Sequence, residues 1–197
     1  LDTLALISPV SKKNRYKCSR YKPIAYVKPQ FIEEIIIKGD YDKEVGKHRL
    51  PTHQQNIADF QKRLMVRRFE SSTFSFYKSL NNNISGHKKI INFYEKGGFI
   101  PIYKKGDLPD YEEIVDFGTD DDVDKNINDL ENLDIDQIEK LPKMKEFLNK
   151  GLWVIEKRQL KETFIEDVKK DLEVLEEIKS NWEIINKKDF IDPKIAA

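Results

Sequence analysis

A single cysteine, Cys18, in 197 residues excludes an internal disulfide framework and sets the expectation of a reducing, cytoplasmic location. Glycine and proline number eight each, too few for a collagen-like or linker-like chain. No apolar run approaches the ~20 residues that a spanning helix needs, so no membrane is expected as a partner. Net charge is also missing, with 35 basic residues against 35 acidic ones. Reactive motifs are equally sparse. Neither G-x-x-x-x-G-K-[ST] nor G-x-G-x-x-G occurs, so no phosphate-cradling loop is expected. No G-x-S-x-G occurs either. His48, His53 and His87 share no metal-ligand spacing with one another or with Cys18. The expectation is a chain with no catalytic residue, no metal and no cofactor of its own, and a metal-dependent small enzyme is disfavoured on the same ground. The first residues are apolar but lack the basic lead-in of a signal peptide, and no initiator Met is present. The chain is therefore expected to be a piece of a longer protein.

What is present is charge and enough apolar residues for a core. Charged residues make up 36% of the chain, against about 25% in a typical soluble domain. The 11% aromatic content argues against wholesale disorder. The charges are segregated. Lys12, Lys13, Arg15, Lys17, Arg20, Lys22 and Lys28 share one window with Tyr16, Tyr21 and Tyr26, and that window holds no acid. Two readings stand for it. One is a polyanion surface, with cations at phosphates and tyrosines stacking on bases. The other is a solvated loop whose bases pair with the acidic block elsewhere in the fold. That block, Asp107 to Glu139, holds fourteen acids and one base, Lys125. Thr119-Asp120-Asp121-Asp122-Val123-Asp124 looks like part of a calcium loop, but the Gly and Glu that complete one do not follow. A flexible, exposed insertion is expected over 107–140.

The pattern predicts a mainly α fold: a helical bundle with two long helices and a few short extended segments. Pro23 to Pro29 is bracketed by prolines and is expected to be an edge strand. Phe31 to Lys38 fits helix or strand and stops at Gly39. Thr52 with Gln55 reads as a capping box opening one long helix to about Leu80, with Ile57, Phe60, Leu64, Phe69, Phe76 and Leu80 near helical period. A second helix is expected from Ile84 to Lys96, then an extended run from Phe99. Short helices are expected over 134–140 and 143–149, then a buried strand-like run at Leu152–Ile155. Thr163 and Glu166 read as another capping box, opening a helix with a continuous apolar face of Phe164, Val168, Leu172, Leu175, Ile178, Trp182 and Ile185. Its charged side is expected to face solvent. Four segments follow: 1–50, 51–106, 107–140 and 141–197.

The most specific stretch is Leu64 to Phe76. Arg63 and Arg67 lie one turn apart on one helix face, with Glu70 a turn beyond. Either the pairing is a surface ion-pair ladder worth a few tenths of a kcal/mol, or the arginines clamp phosphate, for which the guanidinium fork suits better than an ammonium. The run Arg68-Phe69-Glu70-Ser71-Ser72, with Phe76 downstream, resembles a helix found between the two RecA-like motor lobes of bacterial superfamily-two helicases related to the Swi/Snf translocases. Ile7-Ser8-Pro9-Val10 with the basic residues after it resembles the segment leaving the first lobe, although Lys12-Lys13-Asn14-Arg15 departs from the usual double arginine. Asp192-Pro193-Lys194 resembles the approach to the second lobe. The resemblance implies an interlobe accessory region without activity of its own, flanked by the RecA-like lobes of the same polypeptide. ATP and magnesium would belong to those lobes. It implies contact with nucleic acid, duplex DNA in the first instance, through Lys12, Lys13, Arg15, Lys17, Arg20, Arg63, Arg67 and Arg68. The motif residues Arg67, Arg68, Phe69, Glu70, Ser71 and Ser72 would either touch DNA or brace the helices. The alternative reading is a protein-interaction module docking through the 164–185 apolar stripe.

Overall fold

A computed structural model describes residues 2–7, 15–39, 43–102, 108–115 and 135–186. The fold is mainly α, with one small sheet. Helix α1 is Asp2–Ile7. Three short 3-10 turns follow, at Ser19–Tyr21, Pro23–Tyr26 and Pro29–Phe31, and lead into α2, Ile32–Lys38. Helix α3 is Lys43–Ser71 and α4 is Thr73–Lys96; strand β1, Phe99–Ile102, comes next. Helices α5 (Tyr111–Val115), α6 (Ile135–Ile138) and α7 (Pro142–Asn149) precede strand β2, Trp153–Glu156, and the last helix, α8, is Thr163–Asn186.

The chain forms two compact units that interleave in sequence. One comprises 1–26, 47–87 and 162–197, the other 27–46 and 88–161. Neither coincides with any of the four sequential segments read from the sequence.

In the first unit the apolar stripes of α3, α4 and α8 meet. Ala58 and Met65 pack with Phe76, Leu80 and Ile84 and with Val174, Leu175, Ile178 and Trp182. Phe69, Phe76 and Trp182 form an edge-to-face trio, with centroids 5.0, 5.3 and 5.6 Å apart. Each such pair adds about 1 kcal/mol beyond area burial. The α8 stripe is thus consumed inside the unit. Phe164, Val168, Leu175, Ile178 and Trp182 are buried, so the docking-helix reading finds no exposed apolar face on the described part of α8.

Several expectations are corrected. The long helix does not open at Thr52. It runs from Lys43 through Pro51, which forgoes one backbone hydrogen bond. Tertiary contacts outweigh that loss: Leu50 is buried, and the Gln54 side chain takes the Ile24 N–H at 3.0 Å. Gln55 does not cap; it bonds Asp59 at 3.1 Å and Lys22 at 3.2 Å. Nor does the helix continue unbroken to Leu80. It breaks at Ser72, whose hydroxyl accepts the Ser75 N–H at 3.3 Å, the bond a helix-opening serine makes. One residue, Ser72, separates the two helices, and the chain folds back there: Arg68 reaches the Ser79 hydroxyl, eleven residues on, a separation of ~16 Å in a straight helix. Phe60 is not core; it is 54% exposed. Pro23 to Pro29 is not a strand, since Pro23 and Pro29 each open a 3-10 turn, where a missing N–H costs nothing. A lone antiparallel bridge joins Val27 to Leu160.

The second unit contains the sheet. β1 and β2 pair antiparallel, Phe99 with Glu156 through Ile102 with Trp153. Gly98, at φ +67°, makes the turn from α4 into β1 that a side chain would resist. Phe93, Phe99, Tyr111, Ile114, Ile138, Leu141 and Met144 form its core. The described ends of the acidic segment are therefore anchored through Tyr111, Ile114 and Ile138, while Asp110 and Glu112 stay exposed. Asp110 and Glu112 pair with Lys89 and Lys96 of α4, at 3.2 and 2.7 Å. The remainder of that segment, Asp120 to Asp124 included, lies outside the described residues, as do Ser8 to Val10 and Asp192 to Lys194.

Candidate nucleic-acid interface

The described part of the basic N-terminal window, Arg15 to Tyr26, is tied into the first unit by ion pairs and hydrogen bonds, with the Arg15 and Lys17 side chains themselves exposed. Lys12 and Lys13 lie outside the described residues. Arg15 pairs with Glu177, and Lys17 Nζ lies 2.7 Å from Asp167. The acids that meet Arg15 and Lys17 come from α8. The tyrosines are not free to stack on bases. Tyr16 is buried beside the His87 ring, centroid distance 6.0 Å. Tyr21 donates to Asn83 at 2.8 Å, and Tyr26 packs on Phe164 at 5.4 Å while donating to Asp167 at 3.0 Å.

Two α8 acids organise this segment. Burial pushes the Asp167 carboxyl up, but the bonds from Lys17 and Tyr26 and the Lys17 charge outweigh it and hold it below its usual range. Asp171 is fully buried and receives the N–H groups of Lys17 at 2.5 Å and Ser19 at 2.6 Å. Burial wins there, and its carboxyl sits above the usual value. Cys18, between those donors, adopts φ 62°, ψ 36°, which turns successive N–H groups toward one acceptor. Burial pushes the Cys18 thiol up to about 12, which keeps it in the protonated form near neutral pH.

Arg20 is drawn inward. Its guanidinium lies 4.7 Å from the Tyr21 ring centre and fills the space a side chain at Gly86 would take. His87, next on α4, is fully buried, with Nδ1 2.7 Å from the Asn83 carbonyl oxygen. Burial, then the Arg20 charge, lower its pKa to about 3.

The Arg-Phe-Glu-Ser-Ser motif divides into an inner and an outer half. Arg68 bonds the Ser79 hydroxyl, Phe69 joins the aromatic trio, and Ser72 opens α4. Ser71 bonds back to the Arg68 carbonyl at 3.3 Å. Arg67 and Glu70 are exposed, as is Arg63. Among the described residues neither Arg63 nor Arg67 has an ion-pair partner. At 3.6 residues per turn, Arg49, Phe60, Arg63 and Arg67 of α3 fall within an arc of about 60°, and all four are exposed; Phe74 and Lys78, one turn apart on α4, are exposed as well. Phe60 and Phe74 are 54% and 72% exposed. Sequence reasoning missed Arg49, Phe60, Phe74 and Lys78 as surface groups. For the α3 residues the available signal was their own helical spacing, offset from the Ala58 and Met65 core positions.

No helix among the described residues is long and apolar enough to cross a membrane. No cluster of three potential metal ligands occurs among them. Compared with protein-family models, curated proteins and solved structures, the chain matches none.

Proposed function

We propose that this chain is a non-catalytic helical region between the motor lobes of an ATP-dependent nucleic-acid translocase, and that it holds backbone phosphates on the outer face of α3. The observation that carries the contact is the pair Arg63 and Arg67, exposed and free of ion-pair partners among the described residues. A guanidinium left unpaired on a helix surface is available to a phosphate, and its planar fork matches two phosphate oxygens. The inner motif residues Arg68, Phe69 and Ser72 supply the bracing half of the reading, since they join α3 to α4 and α8. ATP and magnesium are assigned to the lobes and to no residue of this chain.

Anisotropy titration of labelled DNA against salt tests the contact. Binding should weaken linearly in log salt, and the double variant Arg63→Ala, Arg67→Ala should flatten the slope by about two. Absence of binding at low ionic strength sinks it. The interlobe placement is tested by the complete open reading frame, which must encode RecA-like lobes on both sides.

A further inference from the structure

Helix α3 turns Ala58 and Met65 into the core and presents Asn56, Phe60, Arg63 and Arg67 on the opposite side. At 3.6 residues per turn those four fall within an arc of about 60° of α3 alone. All four are exposed. Asn56, Arg63 and Arg67 have no side-chain partner among the described residues. Exposed positions on α3 spread from Gln55 to His53, about 160° of the circumference, so the helix stands clear over nearly half its girth. Asn56 and Arg67 are ~16 Å apart along the axis at 1.5 Å per residue, about five base-pair steps of 3.4 Å.

No acid falls within the arc, and both guanidiniums are unpaired, so the stripe suits a polyanion. The other two side chains narrow the choice. A carboxamide offers one donor and one acceptor that match N7 and N6 of adenine, and a phenylalanine ring packs on the methyl of thymine. Both edges line the major groove of B-form DNA, which is ~12 Å wide and admits one α-helix. An unpaired strand is served by rings in series, and this stripe has a single ring. A second copy of the chain is disfavoured by charge, since a self-apposed face sets Arg63 and Arg67 against their own copies.

We infer that the outer face of α3 lies in the major groove of duplex DNA, with Asn56 on an adenine edge and Phe60 on a thymine methyl, while Arg63 and Arg67 hold the flanking phosphates. The inference rests on the phosphate-contact reading above and adds base recognition to it, because phosphate contacts by themselves carry no sequence information.

The test selects bound duplexes from a pool randomised at the centre, using the full chain, and then titrates single duplexes. Bound sequences should share an adenine and a thymine within a few base pairs of each other. Replacing that adenine by 7-deazaadenine should weaken the parent chain about fivefold or more and leave the affinity of Asn56→Ala unchanged. Replacing the thymine by uracil, which removes only the methyl, should weaken the parent about fourfold and leave Phe60→Ser unchanged. Neither variant should alter the salt slope, whereas Arg63→Ala, Arg67→Ala should flatten it by about two on every duplex. Equal affinity across the pool, or tighter binding to a single strand than to any duplex, overturns the inference and leaves the phosphate reading standing. A preference that survives both base analogues is one of duplex shape and also overturns it. So does a preference that both Asn56→Ala and Phe60→Ser retain in full, which places base recognition elsewhere in the chain. Failure to bind nucleic acid in either form overturns both readings.

Discussion

Asp171, in the middle of α8, accepts the backbone N–H groups of Lys17 and Ser19 at 2.5 and 2.6 Å while wholly shielded from water. One carboxylate thereby fixes the path of a segment more than 150 residues earlier in the chain. Replacing it by alanine leaves those donors buried and unbonded, a loss of about 1–3 kcal/mol for each group stranded. Asp171→Ala should lower the urea midpoint by the equivalent of ~3 kcal/mol. Glu173→Ala, at an exposed position on the same helix, should shift it by no more than about 0.5 kcal/mol. Equal midpoints for the two variants would show that the segment is held by packing alone.

The buried aromatic cluster beneath the Arg-Phe-Glu-Ser-Ser motif and the motif's outer arginine should separate under mutation. Phe76, fully buried against Phe69 and Trp182, should cost about 3–5 kcal/mol on truncation to alanine. Arg67→Ala touches no buried group and should stay within about 0.5 kcal/mol of the parent stability. Thermal unfolding of both variants checks the pair of expectations. A destabilised Arg67→Ala would mean that Arg67 is engaged in the fold, and it would remove Arg67 from the proposed interface.

Helix content was legible wherever apolar periodicity and local stop signals agreed. Gly97-Gly98 ended α4 as read, and the α8 stripe is the buried face. Reading failed where tertiary contacts outweighed a local rule. Pro51 and the Thr52-Gln55 pair both argue for a helix start, yet Leu50 and Gln54 are anchored in the first unit and carry α3 through. Aromatic spacing alone could not separate Phe60 from Phe76, because both sit near the helical period and only the partner helices decide which face is covered. The Lys17–Asp167 and Arg15–Glu177 pairs were illegible for another reason: nothing local in the sequence relates residues 150 or more positions apart. Asp171 did leave a trace. It stands three residues after Val168 and four before Leu175, on the apolar stripe itself, where an unpaired carboxylate would be costly and a partner is therefore implied.

The buried imidazole of His87 gives stability a pH dependence of definite sign. A carbonyl can only accept, so Nδ1 carries the hydrogen bonded to Asn83, while Nε2 is buried with no partner among the described residues. Protonating Nε2 would place a second cation near Arg20, and the Tyr16 ring packs alongside. The group titrates near 6.5 when exposed and near 3 in the fold. Between those values the unfolded chain binds the extra proton, so stability falls as pH falls, by at most about 1.4 kcal/mol per pH unit for one proton. Asp171 opposes this trend, because its raised carboxyl favours the fold as pH falls toward its ordinary value of 3.8. The two are separated by difference. His87→Gln keeps an amide donor for Asn83 but cannot titrate, so the parent-minus-variant stability, from urea midpoints between about pH 4.5 and 6.5, should decline with acid at close to the one-proton slope. A flat difference across that interval would mean that His87 protonates freely in the folded chain and that the Arg20–Gly86–His87 corner admits water.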